Sequence, residues 1–371
     1  MKRLAVLISF SGDGGVERMV INLCAEFVRH VEVDLLAIRA DGGHVERIPS
    51  AVRLIRLKAR HAWTAVPEIE RYLRERRPDA LLVAKDRAGR AAIRARRRAG
   101  AQMPLWIRLG TNLSAALERR NAINRWLRIA PMRRLYPLAS GVIAVSEGVK
   151  RDTQRVTGLP AGRITVIRNP VITPMLAEHA AEAVPHPWLA DKLQPVVVGM
   201  GRLTQQKDFP TLLRAFAALQ RERPSRLMLL GEGKDREALE ALAAELGIGE
   251  RVLFAGFQSN PYAWLARADL FVLSSAWEGS PNALTEALAL GVPAVSTDCP
   301  SGPHEILDGG RYGALVPVGD AAAMCRAMSA TLQAPLPRET LCAAVDEYRA
   351  ATSARRYLAV LGLSDGDSSS R

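Results

Sequence analysis

Short apolar runs alternate with amphipathic helical stretches twice over in this chain, and few architectures accept that pattern. The first series of runs covers residues 4–9, 31–38, 52–57, 81–84, 105–109, 142–145 and 164–167. Each is short and nearly all apolar, as expected of a strand buried on both faces. Between them, Val16, Met19, Val20, Leu23 and Phe27 recur at helical spacing. Residues 65–76 form a helix stopped by Pro78, residues 88–98 a basic helix, and Ser146 caps another. The second series covers 196–199, 227–230, 252–254, 270–273, 294–296 and 314–316, with helices at 209–220, 235–246 and 282–290. Such alternation predicts an α/β fold: two Rossmann-like, doubly wound parallel-sheet domains with helices on both faces. The 371 residues suffice for both.

The expected boundaries follow. Residues 1–175 form the N-terminal domain, 176–190 a linker and 191–344 the C-terminal domain. Residues 345–363 form a terminal helix, and 364–371 a polar, disordered tail. The opening run ends in a glycine-rich turn, so it is read as a first strand and not as a signal peptide. No apolar run approaches the ~20 residues of a membrane span. Four scattered cysteines without CxxC spacing read as core thiols of a reducing compartment.

The chemistry concentrates in loops that end strands. Residues 277–286 read WEGSPNALTE. Ser280 suits an N-cap and Pro281 the first helical position, with Glu278 in the loop before the helix and Glu286 inside it. Free N–H groups at a helix start favour an anion such as phosphate, and a carboxylate offers acceptor sites to two neighbouring hydroxyls. A nucleotide-sugar pocket fits this stretch, and so does a solvated loop before an amphipathic helix. Gly199-Met200-Gly201-Arg202 lies beyond the first strand of the second series, with Lys207 at the next helix start. Two cations there suit a diphosphate. Phe257 ends another strand and is placed to line a base. Residues 297–305, TDCPSGPHE, end a fourth. Ligands of open parallel sheets bind beyond the strands' carboxyl ends, so these segments are expected on one cleft wall.

The combination GRLTQQKD, EGSPNALTE and STDCPSGPHEIL resembles glycosyltransferase family 4, whose members have the GT-B fold. GGVER at residues 14–18 resembles the family's N-terminal glycine loop. The resemblance spans nearly the whole chain and is strongest over 196–316. It implies a retaining transferase acting on a nucleotide-activated sugar, with no metal and no other cofactor. Arg202 and Lys207 would hold the donor diphosphate, and Glu286 the ribose. Glu278, with the backbone of Gly279, Ser280, Pro281 and Asn282, would hold the donor sugar. Gly201 would let the backbone approach, while Gly14 and Gly15 would close over the phosphates. The terminal helix would cross back to the first domain. The loop around CPSGP is similar to that of enzymes building surface polysaccharides.

One departure concerns the acceptor side. Many members carry an N-domain histidine facing the donor sugar, and none lies here between His61 and His179. Arg108, Asn112 or Lys85 are the candidates for its place. Glu17, one turn into the first helix, either hydrogen-bonds the acceptor or favours the helix start electrostatically.

Charge narrows the partners. Residues 1–190 hold 33 Lys/Arg against 17 Asp/Glu, the whole of the chain's +13 excess. In residues 119–134, Ile123, Trp126, Leu127 and Ala130 fall near one helical face amid arginines. That face either lies in an anionic membrane interface or is core with solvated arginines around it. Nothing resembles a nucleic-acid-binding motif. The expectation is a UDP-sugar-dependent transferase of hexose or N-acetylhexosamine. Its acceptor is a lipid-linked or polysaccharide-precursor glycan at the cytoplasmic face of the inner membrane. The competing classes are a nucleotide-sugar epimerase of the same fold and a basic scaffold with a dead sugar site.

Overall fold

Thirteen strands build two parallel sheets in the computed structural model, which describes residues 1–10, 14–40, 45–118, 121–183, 186–190 and 192–364. The expected disordered tail therefore lies, but for Ser364, outside the described residues. The chain divides into two compact units: Met1–Val171 with Glu347–Arg371, and Ile172–Asp346.

The first unit holds β1 (Arg3–Phe10), β2 (Glu32–Ala40), β3 (Arg53–Arg56), β4 (Ala80–Ala84), β5 (Leu105–Leu109), β6 (Gly141–Ala144) and β7 (Ile164–Val166), in the spatial order β3-β2-β1-β4-β5-β6-β7. All seven coincide with the first series of apolar runs. Successive side chains of a strand point to opposite faces. Leu4, Val6, Ile8 and Phe10 pack on one face with Leu23 and Phe27 of helix Gly15–Phe27, and Ala5 and Leu7 join the cluster on the other. The last helix, Ala350–Val360, belongs to this unit: Tyr357 meets Phe27 edge-on, and Ser353 Oγ donates to the Arg168 carbonyl.

The second unit holds β8 (Val196–Met200), β9 (Arg226–Leu230), β10 (Val252–Gly256), β11 (Leu270–Leu273), β12 (Ala294–Thr297) and β13 (Ala314–Val316), ordered β10-β9-β8-β11-β12-β13. The stretch read as a linker is more regular than expected. It contains helices Pro174–Ala180 and Pro187–Ala190. Arg267 Nη1 donates to the Ala180 carbonyl and Asn260 Nδ2 to the His179 carbonyl, each at 2.9 Å, which fixes the segment to the second unit. Proline at the helix start supplies the fixed φ that the missing hydrophobic period concealed.

In each sheet the strand order reverses beside the first strand, between β1 and β4 and between β8 and β11. A crevice opens at such a switch point because neighbouring connections run to opposite faces. Both switch points carry partly buried ion pairs, described below.

A buried acid secures the helical side of the first unit. Asp86 opens helix Asp86–Ala99, and its Oδ1 accepts from the Tyr136 hydroxyl at 3.0 Å, while Oδ2 meets Arg90 at 3.0 Å and Arg128 at 3.4 Å. Tyr136 is fully buried, and burial raises its phenol well above the usual range. A buried hydrogen bond to a carboxylate contributes about 1.5–3 kcal/mol. Tyr136→Phe is expected to lower the stability of this unit by that amount in urea unfolding. An unchanged midpoint would show that the arginines alone satisfy Asp86.

Candidate active site

Three of the donor-side candidates, Gly201, Lys207 and Glu278, meet where β8 and β11 part. After β8 the chain turns through Gly201 and Arg202 and enters helix Phe209–Glu222 at Asp208, whose φ of 45° is left-handed. Lys207 stands just before that helix. Its Nζ lies 2.6 Å from Glu278 Oε1, in the loop after β11. Ser275 Oγ donates to the same carboxylate oxygen at 2.8 Å. The two loops are also tied through their backbones: Ala276 N donates to Gln206 O, Ser274 Oγ to Lys207 O, and Gln206 Nε2 to Trp277 O, at 2.7–3.0 Å. Gly201 makes the floor. A Cβ there would come within 2.7 Å of the Lys207 stem.

The helix after this loop spans Asn282–Ala289 and begins one residue later than the sequence suggests. Pro281, in extended conformation, takes the N-cap position, and no side chain caps the helix. Ser280 is therefore not the cap, and its buried position belongs to the loop. A proline ring at the N-cap fixes φ near the value both readings need, so composition alone did not separate them. Gly302, with φ of 99°, brings the 297–305 loop against it: a Cβ would sit 2.5 Å from the Pro281 ring. Glu286 is fully buried inside the helix, 3.5 Å from the Tyr262 hydroxyl. Tyr262 escaped the sequence reading because it stands 24 residues from Glu286 and only the fold brings the two side chains together. Burial first and the Glu278 charge second push the neighbouring Cys299 thiol up to about 12. Arg202 and Phe257 are exposed at the ends of β8 and β10.

The acceptor-side candidates lie in the first unit, and two of them meet. Lys85 closes β4 with a φ of 75°, a conformation that costs a side-chain-bearing residue on the order of 1–3 kcal/mol. Its Nζ reaches Glu17 Oε1 at 2.6 Å and the Ser9 carbonyl at 2.8 Å, joining the ends of β1 and β4. Gly14 precedes helix Gly15–Phe27, and a Cβ on it would touch the Glu17 carboxylate at 2.8 Å. Gly15 is exposed at the helix start. Arg108 and Asn112 make other contacts. Arg108 is 2% exposed and donates to Asn169 Oδ1 at 2.5 Å. Asn112 caps helix Leu113–Leu117 by accepting from Ala115 N. Among the described residues no group of three His, Cys, Asp or Glu side chains could hold a metal ion.

The family profile described as "Glycosyl transferases group 1" matches residues 194–334, and that described as "Glycosyltransferase Family 4" matches residues 13–173. The chain is 30% identical over 231 residues to the N-acetylgalactosamine-N,N'-diacetylbacillosaminyl-diphospho-undecaprenol 4-alpha-N-acetylgalactosaminyltransferase of Campylobacter jejuni, spanning 60% of this chain and 61% of that enzyme. It thus matches less than two thirds of that relative's length. It is 26% identical to the lipopolysaccharide 1,6-galactosyltransferase of Escherichia coli K12 over 353 residues, 91% of each. Among solved structures, Anabaena HepE in complex with UDP shares its fold, with a TM-score of 0.71 at 21% identity, covering 98% of this chain and 97% of that one.

Proposed function

Since the chain belongs to the group 1, family 4 glycosyltransferases of GT-B fold, we propose that it transfers a hexose or N-acetylhexosamine from a nucleotide sugar. The donor is a UDP-sugar, the acceptor a lipid-linked or polysaccharide-precursor glycan, and the configuration is retained without a metal ion. One observation carries this reading: Lys207 and Glu278 meet over a glycine floor at the switch point of the second sheet. A diphosphate that departs from a sugar gains negative charge. Lys207, Arg202 and the start of helix Asn282–Ala289 offer positive charge and N–H groups to it. Glu278 and Glu286 suit the hydroxyls of sugar and ribose.

In the proposed step the anomeric carbon–oxygen bond to the diphosphate breaks. The acceptor oxygen bonds to the same face of that carbon, and its proton passes to the departing phosphate. Such a path needs no histidine base. HepE holds UDP in its crystal structure, which supports uracil as the donor base. The Campylobacter relative's named acceptor is a diphospho-undecaprenol glycan, which supports a lipid carrier.

Calorimetric titration with UDP-, GDP- and ADP-sugars tests the reading. The wild type is expected to bind UDP-sugars selectively, and Lys207→Ala to weaken that binding about tenfold or more, since a charge-assisted contact contributes about 1.5–3 kcal/mol. No heat with any nucleotide sugar would remove the donor from the proposal. Conversion of the sugar without transfer to an acceptor would favour an epimerase.

A further inference from the structure

The first two turns of helix Ala122–Leu135 stand clear of the first unit's core, and residues 122–127 are exposed on every side. Ile123, Trp126 and Leu127 form one stripe at i, i+3 and i+4, exposed by 71%, 66% and 56%. The alternative that these side chains are core is excluded. Arg125 beside the stripe and Arg133 and Arg134 further along are exposed too. The helix is nonetheless firmly seated. Met132 and Leu135 are buried, and Arg128 reaches the Asp86 hub at 3.4 Å. Asp86 directly follows Lys85, which grips Glu17. The exposed stripe is thus anchored to the corner where the acceptor-side groups meet.

We infer that this stripe docks the first unit onto an anionic phospholipid surface and brings the Lys85–Glu17 corner to a lipid-borne acceptor. An indole and two aliphatic side chains ringed by arginines match a boundary that is apolar below and anionic above. The excess of Lys and Arg in residues 1–190 adds long-range attraction. A second copy of the chain fits the stripe poorly, because a two-fold contact would bring the same arginines face to face. No helix among the described residues is long and apolar enough to cross a membrane. The docking itself stands on the exposed stripe and the arginines beside it. The delivery of acceptor rests on the transferase reading above.

Vesicle flotation of the full chain separates these. The wild type is expected to float with phosphatidylcholine vesicles containing phosphatidylglycerol, to float weakly with phosphatidylcholine alone, and to be released by salt. Trp126→Ser with Leu127→Ser is expected to lower partitioning about tenfold or more, and Arg125→Gln with Arg134→Gln about five-fold per arginine. Both variants should transfer sugar to a water-soluble acceptor at the wild-type rate and lose rate only with a vesicle-embedded one. Equal flotation of the stripe variant and wild type, or no dependence on phosphatidylglycerol, would overturn the inference. So would a dimer in solution that the stripe variant converts to monomer. Flotation that follows this pattern in a protein inactive on both acceptors would refute the transferase reading and its acceptor delivery while confirming the docking.

Discussion

Replacing Lys207 by alanine is expected to lower kcat/KM for sugar transfer by about 10²–10³, the usual consequence of removing one group that stabilises charge in a transition state. The geometry explains why no neighbour substitutes. The Lys207 side chain is threaded over Gly201, where a Cβ would approach its stem to 2.7 Å, and its carbonyl is pinned by Ser274 Oγ. Arg202, the second cation proposed for the diphosphate, is exposed at the end of β8. The loss has a second component. Glu278 is 7% exposed, and without Lys207 its carboxylate keeps the Ser275 hydroxyl as its side-chain donor among the described residues. Breaking a buried pair by removing one partner typically costs about 3–5 kcal/mol in stability. The double variant Lys207→Ala, Glu278→Gln separates the two components, since it removes the unpaired charge but not the need for a cation. It should regain most of the thermal stability and none of the rate. Steady-state release of nucleotide diphosphate together with thermal unfolding reads both. A Lys207→Ala enzyme within threefold of the wild-type rate would remove this residue from the chemistry.

Gly231→Ala should have the largest effect on stability in the second unit. Gly231 follows β9 with a φ of 141°, and a Cβ there would stand 2.0 Å from the Gly201 carbonyl oxygen. A backbone atom cannot rotate aside, so the loop that floors Lys207 has to move. Gly231 N also donates to Gly256 O at 2.8 Å, and Gly201 N to Leu230 O at 2.9 Å, which leaves little freedom on either side. Overpacking and an unfavourable φ together cost about 3 kcal/mol or more. For a unit of this size that is a fall of roughly 10 °C in Tm, with weaker nucleotide-sugar binding. Gly247→Ala is the control. Its φ of 70° is also left-handed, but nothing lies within 4 Å of the added Cβ. It should cost only the backbone term, about 1–2 kcal/mol. Equal losses in the two variants would show that conformation, and not the contact with the Gly201 loop, sets the requirement for glycine.

Much of the architecture was legible locally. The apolar runs at residues 4–9 and 196–199 are continuous because β1 and β8 are central strands covered on both faces, and burial writes itself into composition there. Gly201 marked a loop where a backbone must come close, and a Cβ there would indeed press on the Lys207 stem. Trp126 and Leu127 were ambiguous, because a helical apolar stripe has the same spacing whether core or solvent lies opposite it. The helices in residues 174–190 were hidden for a related reason: they are short, and their contacts with Asn260 and Arg267 lie far along the chain.

Sequence alone determined which segments are strands, which loops hold glycine and charge, and that two parallel sheets result. Only the tertiary structure decided which charges meet. Lys207 reaches Glu278 across 71 residues and Lys85 reaches Glu17 across 68, while Arg108 and Asn112, equally plausible by position, turn to Asn169 and to a helix end. The physical reason is that hydrophobic period and turn chemistry are properties of neighbours in the chain. A side-chain pair at a switch point depends on strand order, which brings β8 beside β11 and β1 beside β4 and leaves no trace in local spacing.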